Sequence, residues 1–183
     1  MTEQQLINME TFKVVTKAIT ESDDLEIMAQ HMCHLLVGSL DVKGCTIFLL
    51  SHHQTTLEPL ASFGLSKQYL RKGALDPSKS LDETKKKEPT IIRDTEKEQG
   101  LQYPEHAQKE GIRSILGIPI IFALEPIGAF RLYHHMPWDI GEQDVDSLFV
   151  LGEVMGMAIQ YATAVNSLRH IKHSLDILPF PLE

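Results

Sequence analysis

Apolar positions along the second half of the chain predict two adjacent β-strands. Ser114 to Phe122 and Ile127 to Tyr133 are rich in branched and aromatic residues, which favour extended structure. The intervening segment 123–126 can turn, so the two strands are predicted to form a hairpin buried on at least one face. Pro119 has no N–H to donate to a ladder, and we therefore expect it near a sheet edge.

Helical patterns lie on either side of the predicted strands. A first helix is predicted over Glu3 to Ile19, and a second begins at Ser22, a residue type that caps helix N-termini. Apolar residues of this second helix recur on one face, as expected for packing on a core: Leu25, Met28, Ala29, Met32 and Leu36. A long last helix begins near Gly141.

Three further strands and a short helix complete the predicted order. The strands are Cys45–His52, Leu57–Phe63 and Thr90–Arg93, with the short helix near Ser80–Lys87. The polar segment from Asp94 to Glu110 is predicted to be rich in loops. This order predicts an α+β sandwich with a central, mainly antiparallel sheet of five or six strands.

The last helix carries two apolar seams, where a helix that covers one domain needs only one. The first seam, which includes Leu148 and Met155, suits packing against the sheet. The second follows the alternating three- and four-residue spacing of a coiled-coil face: Tyr161, Ala164, Leu168, Ile171 and Leu175. We expect this second seam to form a homodimer interface. The alternative is that Leu168 onward folds back onto Leu6, Ile7 and Phe12 of the same chain.

Composition and charge narrow the classes of partner. The chain has 183 residues, 43% of them hydrophobic, which is enough for one globular core. Its formal net charge of −8 disfavours nucleic acid or an anionic membrane surface as the main partner. The longest apolar run, Ile115 to Leu124, is too short to cross a bilayer. Cys33 and Cys45 are too few for a disulfide framework, so we expect reduced thiols in a cytoplasmic protein.

Several segments in order resemble the GAF domain family of PAS-like sensor modules. They are Cys45–Leu50, Ala61–Ser66, Glu88–Ile92, Tyr103–Glu105, Glu110–Ser114, Gly117–Ile120, Ile127–Leu132 and the helix that begins near Gly141-Glu142. The resemblance covers about residues 22–165. It implies helices from both chain ends on one face of the sheet, and a pocket formed by short helices and loops on the other face. Residues 1–21 would then add a helix to a helical bundle, and 166–183 would extend the last helix into a Pro-rich tail.

The family resemblance implies a signalling role rather than a particular ligand. The leading hypothesis is a non-catalytic sensor module that binds a small-molecule effector and transmits pocket occupancy through a dimeric terminal helix to an output domain, either covalently linked or separate. The alternative is a dimerisation or scaffold module with no ligand, and a small redox enzyme ranks third.

A pocket is expected between the sheet and the short helix and loops that follow the second strand. Its candidate ligand-binding residues supply apolar walls, a helical lid and a few polar groups: Phe48, Phe63, Leu81, Thr84, Ile92, Arg93, Tyr103, Arg113 and Ser114. The two arginines among them suit an anion. Each of these side chains also has an ordinary structural role open to it, as core filling or as a surface ion pair.

Catalytic and metal chemistry have little support in the sequence. A sulfoxide reductase of the resembled family would need cysteines in the region of the third strand, and none lies beyond Cys45. Histidines at helical i,i+3 spacing, such as His170 and His173, are interpreted as solvated side chains rather than metal ligands. We therefore predict no enzyme activity, no metal site and no assigned cofactor.

Overall fold

The computed structural model describes residues 7, 9–21, 24–51, 53, 56–76, 81–98 and 100–177. In chain order the elements are α1 (Met9–Glu21), α2 (Leu25–Leu40), β1 (Gly44–Leu50), β2 (Leu57–Phe63), α3 (Lys67–Leu70), α4 (Glu83–Lys86), β3 (Thr90–Ile92), α5 (Pro104–Glu110), β4 (Ser114–Phe122), β5 (Glu125–His134) and α6 (Glu142–Ile177).

The strands form one antiparallel sheet of five strands in the order β2-β1-β5-β4-β3. The predicted α+β class and the sheet are thus confirmed. Pro119 pairs with Ala129 on β5, whereas β3 reaches only as far as Gly117 along the other edge of β4. Pro119 therefore lies on a stretch of β4 that β3 leaves uncovered, near a sheet edge as its sequence position predicts.

Two apolar layers cover the two faces of the sheet. Helices α2 and α6 pack on one face, with α1 against both of them. Alternate strand residues such as Leu116, Ile118 and Leu132 point into this main core. Their neighbours Ile115 and Tyr133 point to the other face, where α3, α4 and α5 lie. We call this second side the short-helix face of the sheet.

Helix α6 approaches β4 closely through two glycines one turn apart. A Cβ on Gly152 would lie 2.5 Å from the carbonyl oxygen of Pro119, and a Cβ on Gly156 would lie 2.0 Å from that of Ile121. Both positions exclude any larger residue unless the backbone moves. Contact at this distance fixes the position of the helix along the strand.

Several element boundaries differ from those that the sequence predicts. Asp24, rather than Ser22, caps α2, and its carboxylate accepts from the N–H groups of Glu26 and Ile27. Helix α5 forms within the segment predicted to be loop-rich, with Pro104 in its first turn and Gly111 in the left-handed conformation at its end. The hairpin turns at Ala123 and Leu124, both at positive φ, so β5 begins earlier than predicted and includes Pro126.

Part of α6 meets a simple length criterion for a membrane span. Residues Glu142–Ser174 are long and apolar enough by composition, although 44% of the most apolar window is buried inside the domain. The core helix of a domain passes the same test, so this is weak evidence for a membrane span.

Candidate functional site

A buried ion pair lies at the centre of the short-helix face. Nε of Arg131, on β5, donates to Oε1 of Glu83, at the start of α4, over 2.8 Å, and both side chains are almost fully inaccessible, at 3% and 0% exposed. Nη2 of Arg131 donates to the carbonyl oxygen of Leu81 at 3.2 Å. One short segment, 81–83, therefore supplies two acceptors to one edge of the guanidinium.

Aromatic side chains surround this arginine. Its guanidinium carbon lies 5.6 Å from the centre of the Phe48 ring, and the Tyr69 and Tyr133 rings meet edge to face nearby. Burial acts to lower the pKa of Arg131, but the Glu83 carboxylate outweighs that effect and holds the pKa above its usual value. Arg131 is thus a permanent cation in a largely apolar wall.

Glu83 is only half satisfied by its surroundings. Its Oε2 atom is buried and has no hydrogen-bond partner among the described residues. An unpaired buried acceptor of this kind costs about 1–3 kcal/mol. Gly117 lies beneath the carboxylate, and a Cβ at that position would lie 2.9 Å from Glu83 Cδ. The strand thus leaves room for the acid without supplying it a second donor.

A second cation, Lys72, lies beside Tyr69 at the edge of the short-helix face. Its Nζ is 3.6 Å from the centre of the Tyr69 ring and donates to the Tyr69 carbonyl oxygen at 3.3 Å. Burial, helped by the positive charge of Arg131, lowers the pKa of Lys72 to about 8. Burial also raises the pKa of Tyr69, which keeps its hydroxyl protonated.

The lowered pKa makes a specific pH dependence of stability testable. Unfolded Lys72 titrates near 10.5 and the folded side chain near 8, so the unfolded chain binds more protons between these values and stability contributed by this group rises with pH there. We expect Lys72→Met to be more stable than the parent at pH 7 by about 1 kcal/mol, a figure reduced for partial solvent screening. This advantage should shrink as pH rises from 8 towards 10, as measured by urea unfolding. A pH-independent difference would contradict the assignment.

The structure brings five of the nine candidate ligand-binding residues together on the short-helix face. They are Phe48, Leu81, Thr84, Ile92 and Tyr103. Phe48 packs with Leu57 and Leu75, and Tyr103 contacts this cluster while its hydroxyl donates to the Ala74 carbonyl at 3.0 Å. Within the part of the chain that the structure describes, Phe48, Leu81, Thr84 and Ile92 are buried on this face and Tyr103 is partly buried.

The other four candidates lie elsewhere. Phe63 stacks against His34 of α2, on the opposite face. Arg93 follows the end of β3 and pairs with Asp139 at the surface. The Ser114 hydroxyl donates to the carbonyl oxygen of Met136 at 2.9 Å. Arg113 lies in a separate surface groove, so these four residues do not form one site with the five.

The groove near Arg113 has a volume of about 320 Å³ and lies between α5 and the loop that follows β3. Glu96, Glu98 and Glu105 line it together with Arg113. Arg113 binds Asp94 at 3.1 Å and Glu96 at 3.2 Å, so its charge is already balanced. Partial desolvation acts to raise the pKa of Asp94, but the Glu96 N–H and the Arg113 guanidinium outweigh it and lower the pKa. The groove is acidic overall, which does not suit an anion.

Arg131 and Glu83 are absent from the candidates that the sequence suggests. The available signal was an arginine inside an otherwise apolar strand, since a buried guanidinium needs a partner. Glu83 gave no comparable signal, because it lies in a polar segment 48 positions away along the chain.

The second predicted seam of α6 is exposed to solvent. Leu168 is 66% and Ile171 57% exposed, and Tyr161 and Ala164 are exposed as well. The same spacing continues towards the helix start through Met157, Val154 and Val150. We call residues 150, 154, 157, 161, 164, 168 and 171 the α6 seam. Leu175, also predicted at the interface, lies within the helix, but its side chain is outside the described residues.

The fold-back alternative for the end of α6 has no support among the described residues. Ile7 is buried, but its N–H donates to Asp144 Oδ1 at 2.8 Å, near the start of α6. Phe12 packs against the main core. Leu168 and Ile171 remain exposed, and Leu6 lies outside the described residues.

The two cysteines are poorly placed for chemistry. Cys33 and Cys45 are both free thiols buried in the main core, and burial raises the pKa of Cys45 well above its usual value. A protonated, inaccessible thiol is a poor nucleophile. In the part of the chain that the structure describes, no group of three or more His, Cys, Asp or Glu side chains is placed to hold a metal ion.

Comparison with solved structures gives the fold. The GAF domain of an Acinetobacter phosphoenolpyruvate-protein phosphotransferase is 21% identical, with 91% of this chain and 99% of that one covered and a TM-score of 0.74. The corresponding domain from Coxiella burnetii is 19% identical, with 89% and 97% covered and a TM-score of 0.77. The free methionine-R-sulfoxide reductase of Neisseria meningitidis, solved with its substrate, is 11% identical, with 85% and 91% covered and a TM-score of 0.71.

Comparison with family models gives the classification. No curated protein sequence matches the chain. The family model described as GAF domain, however, matches residues 22–160, most of the chain and close to the extent of the sequence resemblance. The sheet order and the two covered faces agree with that match. The chain belongs to the GAF domain family.

Proposed function

We propose that this GAF domain is a non-catalytic sensor that binds a small molecule on the short-helix face and transmits occupancy through a dimer of α6. GAF domains are generally signalling modules. The observation that carries the proposal is the double role of α6: one side packs on β4 through Gly152 and Gly156, and the other carries the exposed α6 seam. A change in the sheet can therefore reach a dimer interface through one helix.

Strand β4 links the two sides of the sheet. Gly117 lies under Glu83 on the short-helix face, while its neighbours Leu116 and Ile118 point into the core beneath α6. The carbonyl groups of Pro119 and Ile121, farther along the same strand, touch the α6 glycines. Ligand-induced movement near Glu83 would therefore act on the strand that positions α6.

The α6 seam suits a second copy of the chain. Its spacing matches a coiled-coil face over more than three heptads, and exposed apolar surface of this extent marks interaction sites. Of the residues that flank the seam, Gln160, Val165 and Ser167 are uncharged, and the charged ones are Glu153 towards the start and Lys172 at the end. Two copies can therefore meet along the middle of the seam without like-charge repulsion.

A pair of glutamates in the seam is expected to convert a dimer into a monomer. Leu168→Glu/Ile171→Glu would place four carboxylates in the dimer interface, and burying them without partners is strongly unfavourable. The sheet should stay folded, because Ala162 is the last buried residue among the α6 side chains that the structure describes. Sedimentation velocity and circular dichroism measure mass and fold separately.

The matched control is His170→Glu/His173→Glu. It adds the same number of carboxylates to the same exposed turns of α6, on the side away from the seam. We expect the control to remain dimeric. Truncation after Asn166 should also weaken the dimer without unfolding the sheet. If the seam variant and the truncated chain both keep the same number of chains per particle as the parent, the pairing proposal fails.

A scaffold without a ligand is the second candidate function. The observation that favours it is that four of the five candidate side chains on the short-helix face belong to packed apolar clusters, Leu81 and Ile92 to one and Phe48 and Tyr103 to another, and that the chain's own Glu83 occupies Arg131. A small redox enzyme is third, since Cys33 and Cys45 are both buried. The two free thiols support a reducing, cytoplasmic compartment.

Native mass spectrometry of freshly purified protein separates the first two functions. A dimer that carries a stoichiometric small-molecule adduct, identified after denaturation, supports the sensor. A dimer without an adduct, and without a mass shift when incubated with a metabolite extract, favours the scaffold. A monomer under all conditions contradicts both.

A further inference from the structure

The contact between Arg131 and the segment 81–83 has the form of a ligand bound to a receptor. Glu83 Oε1 and the Leu81 carbonyl oxygen accept from Nε and Nη2, which lie on one edge of the guanidinium. That edge is the one that matches the two oxygens of a carboxylate. Glu83 uses only one of its oxygens there, and the backbone of Leu81 takes the second donor.

The fit of Glu83 is incomplete in a way that allows exchange. Its second oxygen is buried with no partner among the described residues. Helix α4, which begins at Glu83, is only four residues long, so the carboxylate is carried by a single helical turn. If the segment moves away, both donors on the Arg131 edge are released together.

The surroundings of Arg131 suit a small organic anion. The Phe48 ring lies 5.6 Å from the guanidinium carbon, and Tyr69 and Tyr133 are close enough to interact with its charge. Gly117 provides a recess, since even a Cβ there would clash with the Glu83 carboxylate. Lys72 is close enough to Arg131 for the two positive charges to interact, while the Glu110 carboxylate acts on Lys72 in the opposite direction.

We infer that Glu83 is a built-in stand-in for the effector, and that a small organic carboxylate displaces it from Arg131. The inference rests on the proposed sensor function and specifies its ligand class. In the unliganded domain the segment 81–83 closes the site. A bound carboxylate accepts from both donors of the Arg131 edge and releases Glu83. The Glu83 carboxylate then no longer packs over Gly117 of β4.

Acetate is a suitable probe because it replaces the atoms that Glu83→Ala removes. The variant keeps Cβ, and acetate supplies the missing carbon and carboxylate. Thermal unfolding of the full chain is measured in sodium acetate and in sodium chloride at equal ionic strength. We expect acetate to raise the melting temperature of Glu83→Ala with the logarithm of its concentration above Kd, by about 4 °C at roughly ten times Kd, and that of the parent by much less.

Two further variants keep the test decisive. Glu83→Ala/Arg131→Met should lose the response to acetate, which shows that the anion acts at Arg131. If Glu83→Ala does not fold in chloride, recovery of its folded signal in acetate alone is the supporting result. Glu83→Gln keeps the side-chain shape. The variant should bind acetate more tightly than the parent does, because a neutral amide competes less strongly for Arg131 than a carboxylate.

The opposing outcomes are equally definite. If neither Glu83→Ala nor Glu83→Gln responds to acetate beyond chloride, the pair is structural only and the inference is overturned. Stabilisation by inorganic phosphate but not by acetate would overturn the ligand class. The wider sensor proposal is tested independently by the native mass measurement, so an adduct that is not a carboxylate would refute this inference and leave the sensor intact.

Discussion

Replacing Arg131 with methionine is expected to destabilise the domain by about 3–5 kcal/mol. The substitution leaves the Glu83 carboxylate in a site where it is 0% exposed and has lost its counter-charge, and a buried charge deprived of its partner carries a penalty of this size. The change is measured as the loss of unfolding free energy in urea at pH 7.

A double variant tests whether the loss comes from the orphaned carboxylate. Replacing both partners by apolar residues removes the unpaired charge, so Glu83→Met/Arg131→Met should recover much of the stability that Arg131→Met alone loses. Arg93→Met is the surface control: Arg93 pairs with an exposed Asp139, and its loss should cost less than about 1 kcal/mol. A double variant as unstable as Arg131→Met would mean that the guanidinium matters for packing rather than for charge.

The second large effect is expected at Gly156, where alanine should destabilise the domain by about 3 kcal/mol or more. In the interior of a helix, alanine is normally more stabilising than glycine by about 1 kcal/mol. At this position its Cβ would lie 2.0 Å from the Ile121 carbonyl oxygen, which is backbone and cannot rotate away. The helix must therefore move off β4 and lose core packing.

Two other glycines calibrate this result. Gly152→Ala meets the Pro119 carbonyl at 2.5 Å, so its cost should be smaller but of the same sign. A Cβ on Gly38 in α2 would have nothing within 4 Å of it, so Gly38→Ala should be neutral or stabilising by up to about 1 kcal/mol. Equal effects at Gly156 and Gly38 in urea unfolding would contradict the close approach of α6 to β4.

The sheet and its covering helices could be predicted because their regular apolar patterns extend over many residues. The hairpin of β4 and β5 and the seam spacing of α6 were readable in this way. Helix α5 was missed because seven residues with a single buried member, Ala107, give no helical period. Its evidence was local, namely Pro104 at the start and Gly111 at the end.

The candidate site could be predicted only in part, because strand alternation assigns a face only within a strand. Ile92 faces the short helices as expected, whereas Arg93 follows the end of β3 and turns to Asp139 at the surface. Phe63 lies near the end of β2, past the register shift between Ile47 and Phe48 of β1, and faces α2. The pairing of Arg131 with Glu83 depends on tertiary structure and has no local pattern.

Helix α6 also has a mechanical consequence. Among its described side chains Ala162 is the last one that is buried, whereas the helix continues to Ile177. At 1.5 Å per residue the remaining part is a lever of about 22 Å. A tilt of this part by about 5° about Ala162 would move its far end by roughly 2 Å. A displacement too small to disturb the core is thus amplified into one large enough to change how side chains interlock at the tip.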